Sequence, residues 1–270
     1  TALARGTAGV PWYRKMIGLG AKGAGHRPPR AVWHNPIAWR EAAARNSTLG
    51  KIAARWSFIA IGGAFGVGIV WWFHTDAGAS IPAFRSVLLA TVWGELAVIT
   101  LVALNMSATA VSREREDGTL DLLLTTPITP GAYLMGKLRG LIAYLVPLLL
   151  VPLGTLAAAS IYVAFDGFGR TGGVVQMVGT PAFAVPAVAP EAALVAPVIV
   201  IPFTAFCCMV GLYWSLKSKG TLGSVVGAVA VAGVVAGIVG LCGWRSGTSM
   251  ETLGPVLAGL SPAAAVYGLI

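Results

Sequence analysis

One acidic residue, Glu95, interrupts a long apolar run from Phe84 to Ala110, although the whole chain holds only 10 Asp and Glu. If that run crosses a bilayer, an ionised carboxylate at its middle costs several kcal/mol. Two roles fit such a residue: a substrate- or proton-contacting group on a translocation path, or a structural carboxyl that is protonated or hydrogen-bonded to a neighbouring helix. Thr100 and Asn105, in the same run, suit hydrogen bonds between helices. An intramembrane enzyme using Glu95 as acid or base needs a second catalytic polar group at the same depth, and none with suitable chemistry stands out. His26, His34 and His74 are scattered and show no ligand spacing. Cys207, Cys208 and Cys242 lie inside apolar blocks, where a thiol reads as a small, buried apolar residue. The phosphate-cradling pattern Gly-x-x-x-x-Gly-Lys-Ser/Thr is missing, so ATP is not held by this chain in that manner. The expectation is a chain with no catalytic residue, metal or cofactor of its own.

The second chemically dense stretch is the polar segment 112–139. Arg113, Glu114, Arg115 and Glu116 carry the preceding helix into water as a charged extension. Asp117-Gly118 then ends that helix, because glycine accepts the left-handed conformation common just past a helix end. Thr119 can cap a new short helix with Leu120, Leu123 and Leu124 on one side. Thr129-Pro130 starts another helix, which feeds through Lys137 and Arg139 into the next apolar run. A short leucine-faced helix in a polar loop needs cover. It packs on the protein's own spans or the lipid surface, or it docks into a groove on a soluble partner.

The elements that must position these groups are set by composition. The chain has 270 residues, 56% of them hydrophobic and 11% charged, with a mean hydropathy of +0.78. Soluble domains are about a quarter charged, so too few polar residues exist here to clothe a water-facing surface. The apolar residues form blocks long enough to cross a bilayer, near residues 56–73, 84–110, 140–165, 192–214 and 222–244, with a further partial span near 257–270. The predicted fold is all-α: a polytopic helical membrane protein of about five to six transmembrane helices, led by an interfacial helix. Pro147 and Pro152 fall inside the third span and predict a kink or a re-satisfied break. Asp166 to Glu191 reads as a Gly- and Pro-rich loop.

The net charge of +9 reflects membrane topology rather than nucleic-acid binding, because the basic residues flank the spans and no aromatic-interleaved basic groove follows. Ten of the 19 Lys and Arg precede the first span. With that end cytoplasmic, Arg113, Arg115, Lys137, Arg139, Lys217 and Lys219 also fall inside, against Arg85, Arg170 and Arg245 outside. Residues 1–34 read as a basic, flexible lead-in or linker, and residues 35–270 as the transmembrane domain. Asn35 can cap a helix beginning at Pro36, with Trp39, Arg40 and Glu41 giving it an interfacial character. The start at Thr1 and the apolar end suggest an excerpt from a longer protein, or trimmed ends.

In order along the chain, Asn35-Pro36 with Trp39-Arg40-Glu41, then Glu114 to Glu116, Gly118-Thr119-Leu120, Leu122 to Leu124, Thr126-Pro127 and Gly136-Lys137 resemble the permeases of the type 2 ABC exporter superfamily. The resemblance covers residues 35–222. It implies a plasma-membrane (in bacteria, inner-membrane) permease in which the short helix after Gly118 is a coupling helix. The contact set would be Glu114, Glu116, Gly118, Thr119, Leu120, Leu123, Leu124, Thr126 and Pro127. The implied partner is a separate ATP-binding subunit, which would bind ATP and Mg and drive export. A second permease half is also implied, as a homodimer or as the upstream half of a longer chain. The alternative is a membrane scaffold without transport, recruiting a soluble partner through the 112–139 loop.

Overall fold

The computed structural model describes residues 49–120, 125, 129–180, 182–249 and 261–270, excluding the side chains of Lys51 and 243–249. The lead-in 1–34, the interfacial residues Asn35, Pro36, Trp39, Arg40 and Glu41, and Leu123, Leu124, Thr126 and Pro127 of the loop lie outside the described residues.

Five long helices carry the fold: α1 (Leu49–Thr75), α2 (Ile81–Glu116), α3 (Pro130–Ala164), α4 (Ala192–Lys217) and α5 (Thr221–Ser249). Each is long and apolar enough to cross a membrane. A short α6 (Pro262–Leu269) follows; its 8 residues reach only about 12 Å at ~1.5 Å per residue, well short of a hydrocarbon core of about 30 Å. The expected partial sixth span is therefore a short helix in the described part. It packs against α4, α5 and α2.

The observed helices outrun the predicted spans. α2 has 36 residues and α3 has 35, when about 20 suffice for the apolar core. Hydropathy reports only the hydrocarbon thickness, whereas both helices continue as polar turns beyond it. α3 runs through Pro147 and Pro152, and α4 through Pro197 and Pro202. α2 is the central helix, packed on α4 above all and also on α3, α5 and α1; α1 leans mainly on α3. Where α2 meets α4, Gly211 lies against Ser107, and any Cβ at Gly211 would collide with that side chain. Small residues here permit close backbone approach. α5 is the least buried of the five.

The two ends of the helix cluster differ. At one, α1 joins α2, and α3 joins α4 through the segment read above as a loop. That segment holds a 3-10 turn, Asp166–Phe168, and an antiparallel hairpin, β1 (Val175–Val178) with β2 (Phe183–Pro186), in the register Val175 opposite Pro186. This is the hairpin end. At the other end α2 leads into α3 and α4 into α5; it carries Arg113, Arg115, Lys137, Arg139, Lys217 and Lys219 and is called the basic end. Trp71, 68% exposed, lies near the hairpin end of α1, where an interfacial aromatic belt is expected. Cys207 and Cys208 are buried as predicted, but Cys242 is exposed, because α5 turns much of its circumference outward.

Candidate functional site: the basic end and the carboxyl at membrane depth

α2 ends as the sequence predicts. Asp117 is the C-cap, its N–H bonded to the Arg113 carbonyl and the Gly118 N–H to the Arg115 carbonyl, and Gly118 takes φ +67°. Thr119 and Leu120 then resume helical conformation, and the Thr119 hydroxyl donates to the Glu114 carbonyl at 3.2 Å.

The charged run before this turn is bound up within the chain itself. The Lys137 ammonium, 3% exposed, meets Glu114 Oε1 at 2.7 Å, and the Tyr133 hydroxyl donates to Glu114 Oε2. Both partners stand on the first turns of α3. Arg115 donates to the Leu216 carbonyl at 2.9 Å and the Ser218 carbonyl at 2.6 Å, satisfying acceptors left open at the end of α4. Glu116 Oε1 accepts from the Thr221 N–H at 2.7 Å. That places a negative charge on an orphan donor at the start of α5, where the helix dipole favours it. Three consecutive side chains thus fasten the end of α2 to α3, α4 and α5. One turn earlier, Ser215 Oγ of α4 accepts from the Val111 and Ser112 N–H groups, each at 2.9 Å.

Of the predicted contact set, Glu114 and Glu116 therefore have carboxylate oxygens engaged by α3 and α5, while Gly118 and Thr119 are exposed and Leu120 is half-buried. Sequence reading did not find Tyr133, Arg115 or Thr221 as members of this cluster. Only the Gly136-Lys137 pair pointed to α3.

Glu95 is 6% exposed and 14 residues into α2, roughly 21 Å along it at ~1.5 Å per residue, so it sits at membrane depth. Its Oε2 lies 3.4 Å from the Thr155 hydroxyl of α3. That hydroxyl is also 3.0 Å from the Val151 carbonyl, and a single O–H proton cannot serve both acceptors fully. Glu95 Oε1 is buried with no hydrogen-bond partner among the described residues. Gly62 and Gly66 of α1 close over the pair. A Cβ at Gly62 would lie 3.2 Å from Glu95 Oε1, and one at Gly66 would lie 2.6 Å from Thr155 Oγ1. The Gly-x-x-x-Gly spacing of these two residues was the available signal for this contact. Among the described residues no cluster of His, Cys, Asp and Glu is arranged to hold a metal ion.

The hairpin end is held by arginines. Arg170, 7% exposed, donates to the carbonyls of Phe73 at 2.5 Å, Ala79 at 2.6 Å, and Asp76 and Gly173 at 3.0 Å. Its guanidinium carbon lies 3.9 Å from the centre of the Phe73 ring. Asp166, Gly167, Phe168 and Gly169 all have positive φ, and a Cβ at Gly167 would press on Val174 at 2.7 Å. This left-handed run delivers Arg170 to its carbonyls. Arg85, in the first turns of α2, donates to the Pro186 and Ala187 carbonyls at 2.5 and 2.9 Å, tying down the end of β2.

A cluster of long apolar helices, with a polar fastening at one end and a closed cap at the other, defines a multi-pass membrane protein. Residues 94–242 match the family model described as ABC-2 family transporter protein, and the chain belongs to that family. It is thus a membrane permease component of an ABC transporter. No curated protein and no solved structure matches this chain.

Proposed function

We infer that this chain couples ATP hydrolysis on a separate nucleotide-binding subunit to export of a substrate across the plasma membrane (the inner membrane in bacteria). The basic end faces the cytoplasm, as the distribution of Lys and Arg favours. The observation that carries the reading is the fastening of Glu114, Arg115 and Glu116 to α3, α4 and α5 at the point where the 117–129 segment leaves α2. A partner that moves this segment has a grip on four helices at once. In this account Gly118, Thr119, Leu120, Leu123, Leu124, Thr126 and Pro127 form the coupling contact. Glu114 and Glu116 serve chiefly to hold that contact in place. ATP and Mg belong to the partner. A second permease half, in a homodimer or in an upstream part of a longer chain, completes the pathway; the largely exposed α5 is consistent with a further neighbour.

The test is purification of the full-length protein in mild detergent, with and without Leu123→Asp and Leu124→Asp. Under this reading an ATP-binding subunit co-purifies, and the double variant loses it while keeping its helical content. Absence of any ATPase from a folded, monodisperse preparation would sink the coupling account and favour a scaffold role for the 112–139 loop.

A further inference from the structure

Two grooves flank the buried carboxyl. One, of about 480 Å³, runs between α1 and α2 and is lined by Phe58, Ile61, Gly62, Phe65, Thr91 and Glu95 among others. The other, of about 420 Å³, runs between α1 and α3 and is lined by Gly63, Gly66, Val151 and Thr155 among others. Both volumes fall in the range of small-molecule sites. Gly62 borders the first groove and Gly63 and Gly66 the second, and the Glu95–Thr155 pair packs against Gly62 and Gly66. Among the described residues neither groove is lined by Lys, Arg or His, so no described cation of the lining neutralises the carboxyl.

We propose that the α1–α2 groove is a binding site for amphipathic organic cations, with Glu95 as the counter-charge and Phe58 and Phe65 as the apolar walls. The assignment rests on the permease reading above and names its substrate class. The chemistry follows from three observations. Glu95 Oε1 is buried, has no hydrogen-bond partner among the described residues, and belongs to a side chain that borders the groove. A carboxylate at membrane depth is stabilised by a cation that shares its low-dielectric site. Aromatic rings beside it attract a soft, weakly hydrated cation by their quadrupole while burying its hydrocarbon. Ile61 and Phe65 are 58% and 61% exposed, so the groove opens on the outer side of the helix cluster, the side from which a membrane-dissolved cation arrives. A neutral lipid would gain nothing from Glu95, and an anion would be repelled by it.

The experiment uses the full chain in lipid nanodiscs, without any ATPase, so its outcome is independent of whether a partner subunit is found. Equilibrium dialysis compares tetraphenylphosphonium with tetraphenylborate, which have nearly the same shape and opposite charge. Saturable binding of the phosphonium alone is expected, weakened at least tenfold by Glu95→Gln. Ile61→Trp, on an exposed position where folding is not at stake, is expected to block the groove mouth and weaken binding to the same degree. The proposal is overturned if the wild-type chain shows no saturable phosphonium binding, if both ions bind equally, or if either variant binds like the wild type.

Discussion

The hairpin end and the basic end solve the same problem, polar groups at the edge of an apolar cluster, in opposite ways. At the hairpin end two arginines, Arg170 and Arg85, are bonded to backbone carbonyls and have no carboxylate partner among the described residues. The carbonyls they serve belong to turns and the hairpin, so the arginines freeze loop backbone against the ends of α1 and α2. At the basic end carboxylates and an arginine on one helix reach three others, through an ion pair, a helix start and a helix end. Bonds of the first kind close a cap. Those of the second kind join whole helices to one another.

The contrast is sharpest for Arg170. Replacing it by Met strands the buried or half-buried carbonyls of Phe73, Ala79 and Gly173, each costing about 1–3 kcal/mol when left without a partner, whereas the Asp76 carbonyl keeps the Ala79 N–H. The expected loss is at least about 3 kcal/mol, or roughly 10 °C in the thermal midpoint in detergent. Arg170→Lys should not rescue it, because one ammonium cannot reproduce the planar fork. A midpoint within about 2 °C of wild type would show that the cap is not held by this residue. Next in size is Lys137→Met, which leaves Glu114 half-buried with the Tyr133 hydroxyl still donating to it. A loss of about 1–3 kcal/mol is expected, the cost of a partly buried acceptor deprived of one donor. The double variant Lys137→Met, Glu114→Gln should recover part of it, since the uncompensated charge is removed as well. Strict additivity in that cycle would deny the pair its role. Smallest is Glu116→Ala, on an exposed side chain. It should cost about 0.5–1 kcal/mol, as for loss of a helix cap, with local fraying of α5 visible in amide exchange.

Much of this architecture was legible in the sequence, for a physical reason: apolar blocks of bilayer length have few alternatives to spanning helices. The Asp117-Gly118 break and the helix start at Pro130 were legible too, because left-handed glycine and N-terminal proline are local requirements. The hairpin was not. Its strands have 4 residues each, too few for a periodic pattern, and its place is held by arginine bonds to carbonyls that have no side-chain signature. The Arg170 donors reach residues 91 to 97 positions away, and Glu95 finds Thr155 across 60. A charge count assigned Arg170 a side of the membrane, and could assign it nothing more. Glu114 to Glu116 were read as a solvated extension, since a run of alternating charge gives no sign of which helices will come to meet it.

The most direct test of the central claim is hydrogen–deuterium exchange on the purified permease–ATPase complex in nanodiscs, with and without ATP and Mg. The account predicts that ATP changes protection in the 117–129 segment and also at the start of α5, around Thr221 to Gly227, and the start of α3. Residues 165–190 at the hairpin end should stay unchanged. In Glu116→Ala the response of the segment should persist while that of α5 fades. An ATP response confined to 117–129 in the wild-type complex, or an α5 response untouched by Glu116→Ala, would contradict it.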